Sequence, residues 1–326
     1  MNKLYPLKFK AILKERIWGG QKLKTLFGKQ GKCTNCGESW EISSVSGDIS
    51  LVENGFLKNN SLSELIEVYM GDLVGDKVYD QFGLEFPLLI KFIDANDDLS
   101  IQVHPNDNLA IKRHESFGKT EMWYVMEANP DASLISGFNK QITKEDYLNH
   151  LNSKTLKQIL NRVPVTAGDT FFIPAGRVHA IGSGILLAEI QQTSDITYRI
   201  YDWDRVDANG KPRELHTDLA VDAIDYKFHT DIKTVYKEKV NGIINLAQCQ
   251  YFTTNKIRFN RAIERDYITI DSFIIYICCN GAFDLLYGDS EKIEVVKGQT
   301  ILLPAIIKNV RLIPRDEAEV LEVYVE

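Results

Sequence analysis

The feature that most constrains this chain of 326 residues is that part of it echoes another part. Ala167-Gly-Asp-Thr-Phe-Phe-Ile-Pro-Ala175 returns as Lys297-Gly-Gln-Thr-Ile-Leu-Leu-Pro-Ala305, at an offset of 130. Upstream, Trp123-Tyr-Val-Met resembles Ile275-Tyr-Ile-Cys at an offset of 152. Short β-branched and aromatic runs separated by Gly, Asn, Asp and Pro fill much of the chain, which reads as strands. Phe86 to Phe92, Leu99 to His104, Met122 to Glu127, Thr170 to Ile173, Phe273 to Cys278 and Thr300 to Leu303 are the clearest. The expectation is a mainly β protein of two related units, residues 1–235 and 236–326. The difference between the offsets matches a helical insertion over Thr143 to Asn161, where apolar residues fall near helical spacing. Ser61-Leu-Ser-Glu64 forms a capping box opening a helix to about Tyr69, and Asp218 to Asp225 is a further helical candidate.

Gly168, Pro174, Gly176 and His179 make the sharpest local signal. A glycine turn leads into a strand, Pro174 and Gly176 bend the chain out of it, and His179 follows the bend. This spacing resembles the second motif of the cupins, small jelly-roll-like β-barrels that usually hold a metal. Upstream, Gln102-Val-His104 places two ligand types on one face of a strand, because alternate residues share a face. Glu121 opens the next strand. Two imidazoles, a carboxylate and a carboxamide suit a divalent metal, with zinc the natural candidate. The echo maps His179 onto Asn309 and Glu121 onto Phe273, so the second unit keeps the barrel pattern without the ligands. One metal per chain, in the first unit, is the expectation. His114, His150, His216 and His229 lack such a context and read as surface histidines.

Charge narrows the function. Lys+Arg 38 against Asp+Glu 45 gives −7, which argues against a broad nucleic-acid footprint and leaves room for a local anion pocket. Lys119, Arg199 and Arg205 can supply a point charge and guanidinium forks to such an anion; the alternative is ion pairing with Asp195, Asp202 and Asp204. No run of about 18 apolar residues is present to span a membrane, and Met1 to Phe9 lacks the apolar stretch of a signal peptide. Five cysteines cannot all pair within one chain. Cys33-x-x-Cys36 has no second CxxC partner, and Cys278 and Cys279 are adjacent in an apolar run, so five free thiols in a reducing cytoplasm are expected.

Leu99-Ser-Ile-Gln-Val-His-Pro-Asn-Asp107, Gly118-Lys-Thr-Glu-Met-Trp-Tyr124, Ile173-Pro-Ala-Gly-Arg-Val-His-Ala-Ile-Gly182 and Gln192-Thr-Ser-Asp-Ile-Thr-Tyr-Arg-Ile-Tyr-Asp202 together resemble the type I mannose-6-phosphate isomerase family. Glu15 to Gly20, Gly37 to Ile42, Phe86 to Ala95 and Asp207 to Lys211 extend the resemblance, which runs from about residue 5 to 220 and looks like the short bacterial form. It implies a zinc-dependent aldose–ketose isomerase that interconverts mannose 6-phosphate and fructose 6-phosphate through a cis-enediol. It also implies Gln102, His104, Glu121 and His179 as metal ligands, Arg199 as an active-site arginine, and Ser100, Lys119 and Arg205 as phosphate contacts. A general base is needed besides, and Glu189 is the candidate. The implied partner is a small sugar phosphate, with no nucleic acid, membrane or obligate protein partner. A non-catalytic sugar-phosphate-binding cupin and another metal-dependent cupin enzyme, such as an iron dioxygenase, are the competing readings.

Overall fold

The computed structural model describes residues 3–206 and 209–326. Asp207 and Ala208, part of one motif of the resemblance, lie outside the described residues, as do Met1 and Asn2. In chain order the first strands are β1 (Ile12–Gly20), β2 (Cys36–Ile42), β3 (Leu88–Ala95), β4 (Ile101–Val103), β5 (Glu121–Ala128) and β6 (Ser133–Phe138). There follow β7 (Leu160–Pro164), β8 (Thr170–Ile173), β9 (His179–Ala180), β10 (Ile185–Gln192) and β11 (Tyr198–Tyr201). The last are β12 (Gly242–Gln248), β13 (Thr253–Phe259), β14 (Ile263–Asp266), β15 (Ile274–Tyr287), β16 (Glu291–Val296), β17 (Thr300–Leu303) and β18 (Asn309–Tyr324). Helices are α1 (Lys22–Thr25), α2 (Leu62–Val74), α3 (Asp76–Phe82), α4 (Asp107–His114), α5 (Lys144–Asn152) and α6 (Thr217–Ala223). The mainly β, cupin-type fold read from the sequence is the fold observed.

The described residues form three sheets. A six-stranded sheet runs β1-β2-β3-β10-β5-β8, and a five-stranded sheet runs β11-β4-β9-β6-β7. The third is built from β12 to β18 alone. The central strands β3 and β10 are buried on both faces and read as nearly continuous apolar runs. Leu88, Ile90 and Phe92 of β3 pack on one face with Met122, Tyr124, Leu186, Ala188 and Ile190, against α2, α3 and the third sheet. The alternate residues Ile93, Trp123, Val125, Ile185 and Leu187 turn toward the five-stranded sheet. Strand alternation therefore sends Lys91, Glu121 and Glu189 inward with them. Each fully buried Leu, Ile or Phe contributes roughly 1.5–3 kcal/mol, which fixes that register against a slip.

Several expectations are corrected. The helix read over Thr143 to Asn161 ends at Asn152; a single 3-10 turn follows at Leu156–Gln158, and the chain then enters β7. Leu156, Ile159 and Leu160 are buried as expected, but they fill the core under the five-stranded sheet from a turn and a strand. The cysteines are not all free: Cys33 and Cys36 are disulfide-bonded, and Cys249, Cys278 and Cys279 are free. The turn entering β2 holds the two Cα atoms 5.4 Å apart, inside the range a disulfide bridges. The upstream echo is also shifted by one residue. Trp123 pairs with Phe171 and Tyr276 with Ile301, which makes the offset 153 and aligns Glu121 with Ile274 instead of Phe273. A one-residue slip in a strand reverses which core each side chain enters. Phe273 packs with Phe86, whereas Ile274 enters the core of the third sheet.

Candidate metal centre

The two sheets converge on His104, Glu121 and His179. Gln102 in β4 pairs with His179 in β9, and His104 follows one residue beyond the end of β4. Glu121, the first residue of β5, comes from the opposite sheet. One ligand atom from each of His104, Glu121 and His179 lies within 4.8 Å of the others. Glu121 Oε2 is 3.5 Å from His104 Nε2, and Glu121 Oε1 is 3.4 Å from His179 Nε2. All three side chains are almost wholly buried.

Each imidazole is oriented from behind. His104 Nδ1–H donates to the Ile196 carbonyl at 2.9 Å, and His179 Nδ1–H donates to the Arg177 carbonyl at 2.8 Å. Both rings are thereby fixed as the tautomer whose Nε2 lone pair faces Glu121, the arrangement in which ligating histidines are held. Burial and the nearby Lys119 charge push His104 well below the usual histidine range, and burial brings His179 down to about 4. Burial, reinforced by Glu189, raises Glu121 to about 7. His104 Nε2 and Glu121 Oε1 have no hydrogen-bond partner among the described residues. Two neutral imidazoles and a carboxyl, converging with buried lone pairs, form a donor set suited to a divalent cation. Gln102 turns its amide nitrogen toward His179 Nε2 at 3.2 Å, and a half-turn of the carboxamide would present its oxygen instead.

Beside this cluster opens a cavity of about 400 Å³, reached by Ser100, Gln102, Lys119, Glu189 and Arg199. Cross-strand register places Glu189 opposite both Lys91 and Trp123. Glu189 Oε1 accepts from Lys91 Nζ at 3.1 Å and Oε2 from Trp123 Nε1 at 2.8 Å. Burial would raise this carboxyl, but Lys91 and Lys119 outweigh it and the net shift is downward. Glu189, the residue expected as general base, thus lines the cavity with Lys91 and Trp123 on its two oxygens. Lys119 Nζ lies 3.1 Å from Glu121 Oε2; burial lowers its pKa, and Glu121 and Glu189 more than reverse this.

The arginines divide. Arg199 lines the cavity, donates from Nη1 to the Glu214 carbonyl at 2.8 Å, and keeps Nε buried without a partner among the described residues. Arg205 does not reach the cavity. Its guanidinium is held by Asp202 at 2.7 Å and by the Asp98 carbonyl at 2.6 Å, which is the ion-pairing alternative. Arg213 stands at the cavity instead, its Nε donating 2.7 Å to the same buried Asp202. His216, read as a surface residue, accepts the Arg199 backbone N–H on Nδ1 at 3.1 Å and so anchors β11. Neither residue carries a local sequence signal, since each acts through a partner more than ten positions away.

Fold and site together define a class: a cupin-type β-barrel protein in which a buried histidine–carboxylate cluster opens onto a cation-lined cavity. A family profile described as phosphomannose isomerase type I, catalytic domain, matches residues 6–125. The chain is 42% identical over 257 residues to the mannose-6-phosphate isomerase ManA of Bacillus subtilis, covering 77% of this chain and 78% of that protein. It is 39% identical over 306 residues to a mannose-6-phosphate isomerase of Streptococcus mutans, covering 93% and 94%. The crystal structure of a mannose 6-phosphate isomerase from Bacillus subtilis superposes with a TM-score of 0.87 at 34% identity, covering 98% of this chain and 99% of that one. The chain belongs to the type I phosphomannose isomerase family.

Proposed function

We propose that the protein is a zinc-dependent isomerase interconverting mannose 6-phosphate and fructose 6-phosphate by proton transfer between C2 and C1 through a cis-enediol. The observation that carries this reading is the His104–Glu121–His179 cluster opening on a cavity walled by Lys119 and Arg199, in a chain of this family. Gln102, His104, Glu121 and His179 would hold one zinc ion per chain. Bound there, zinc supplies Lewis acidity to the sugar oxygens on which negative charge develops.

The chain's own groups do the rest. Arg199 stays protonated and lines the cavity, where its guanidinium can steady an enediolate. Ser100 and Lys119 are assigned to the substrate's phosphate, and Arg213 joins them where Arg205 was expected. Arg205 acts at one remove, sharing Asp202 with Arg213 and so fixing its fork. Glu189 is assigned as the ionised counter-charge that keeps Lys91 and Trp123 in place, and its lowered pKa makes it a weak base toward C1 and C2. Residues 236–326 are proposed to be a second, degenerate cupin unit. Its support is the shared register, in which Asp266 pairs Asn309 as Gln102 pairs His179.

The decisive assay is formation of fructose 6-phosphate from mannose 6-phosphate with and without a chelator, and with zinc restored. Turnover lost on chelation and regained with zinc is expected. Turnover unaffected by complete removal of metal would contradict the zinc reading, and a zinc-loaded protein without turnover would favour the non-catalytic sugar-phosphate binder. Arg199→Ala is expected to retain one zinc per chain and lose roughly 100- to 1,000-fold in kcat.

A further inference from the structure

Lys119 lines the cavity and Glu121 joins the metal cluster from one short turn, Gly118 to Glu121, held by its backbone on three sides. The Gly118 N–H donates to Asp107 Oδ1 at 2.8 Å, Lys119 N–H to the Pro105 carbonyl at 3.1 Å, and Thr120 N–H to Gln192 Oε1 at 2.8 Å. Gln192 Nε2 in turn donates to Asp107 Oδ1 at 2.9 Å. Asp107 therefore gathers the turn and β10 onto one carboxylate at the start of α4. Its other oxygen, Oδ2, accepts from the Tyr251 hydroxyl at 2.5 Å. Tyr251 lies between β12 and β13, in the sheet that supplies none of the metal or cavity residues.

The turn is closely packed at its first residue. A Cβ at Gly118 would lie 2.5 Å from the Asp107 backbone nitrogen, so turn and helix start are in direct contact. A carboxylate gripped by three donors is a stiff strut, and releasing one donor leaves the other two to reorient it. We infer that Tyr251 is a positioning residue for the metal centre: through Asp107 and Gln192 it fixes the turn that presents Lys119 and Glu121. This rests on reading His104, Glu121 and His179 as the metal centre. It gives the C-terminal sheet a share in the site that its lack of ligands conceals.

The test compares Tyr251→Phe, which removes only the hydroxyl, with Tyr124→Phe. The Tyr124 hydroxyl donates to Glu319 at 2.5 Å and joins the same two sheets without touching the turn. Hydrogen–deuterium exchange in the folded full-length protein reads the Gly118–Glu121 amides, and competition with a chromophoric chelator reads zinc affinity. Tyr251→Phe is expected to speed exchange at these amides severalfold and to weaken zinc about tenfold, the low end for partners behind a ligand. Tyr124→Phe is expected to do neither. Asp107→Asn must reproduce the exchange change at the same amides. Unchanged exchange in Tyr251→Phe, or an equal change in Tyr124→Phe, overturns the inference and leaves Tyr251 a structural contact. Zinc binding without isomerase turnover in the wild type sinks the isomerase reading alone, because the exchange comparison still decides this one.

Discussion

Glu38 shows how a single carboxylate is used beside the cavity. Its oxygens accept from Arg16 Nε at 2.8 Å and Trp40 Nε1 at 2.7 Å. Burial would raise its pKa, but Lys91 and Arg16 prevail and hold it down to about 2. The folded value lies below the unfolded 4.5, so the stabilisation is complete above pH 4.5 and is lost as pH falls toward 2. Its size is about 3 kcal/mol, an order-of-magnitude figure. Glu38→Gln is therefore expected to lower the urea midpoint clearly at pH 7, with the gap to wild type closing as pH drops below 4.5. A gap that is the same at pH 7 and pH 3 would contradict the ion-pair account. At this scale the metal cluster was legible in the sequence, because strand alternation and the Gly168-to-His179 spacing are local. Arg213 and the occupied oxygens of Glu189 were not, because Asp202, Lys91 and Trp123 meet them only once the sheets are paired.

Among the elements, α2 opens as its sequence says. The Ser61 hydroxyl accepts from the Glu64 N–H, and the Glu64 carboxylate accepts from the Ser61 N–H at 2.7 Å. Ser61→Ala is expected to cost about 1 kcal/mol, read as a shifted denaturant midpoint with an unchanged slope. The helix outlasts the expected end near Tyr69, crossing a kink at Met70 before stopping at Val74. Leu73 and Val74 are fully buried beneath it, and that burial overrides local propensity. The opposite happens after α5. Apolar residues near helical spacing extend to Leu160, yet Leu160 pairs with Phe138 as a strand residue. Periodicity shows which residues are buried more reliably than it shows the element that buries them.

For the whole molecule, the disulfide makes a countable difference. Labelling the denatured chain is expected to modify Cys249, Cys278 and Cys279 before a dithiol reductant and all five cysteines after it. Five labelled thiols without reductant would contradict the Cys33–Cys36 bond. The echo suggested two related β units, and the strand ladders set one of its segments a residue out of step. Resemblance between apolar runs does not distinguish Ile274 from Phe273; the ladder does, because the two face different cores. Tyr251 was hidden for a related reason, being 144 positions from the carboxylate it grips.

Leu7 and Leu302 exchange backbone hydrogen bonds of 2.8 and 2.9 Å. The core that lies under Leu7 also takes in Leu302, Leu321 and Val323. During synthesis the growing chain must therefore carry an unfinished apolar surface until residues 302–323 have emerged from the ribosome. The strands that bear Lys91, Glu121 and Glu189 wait, half-covered, for partners not yet made. A translation product that stalls before these partners would present that surface to its neighbours.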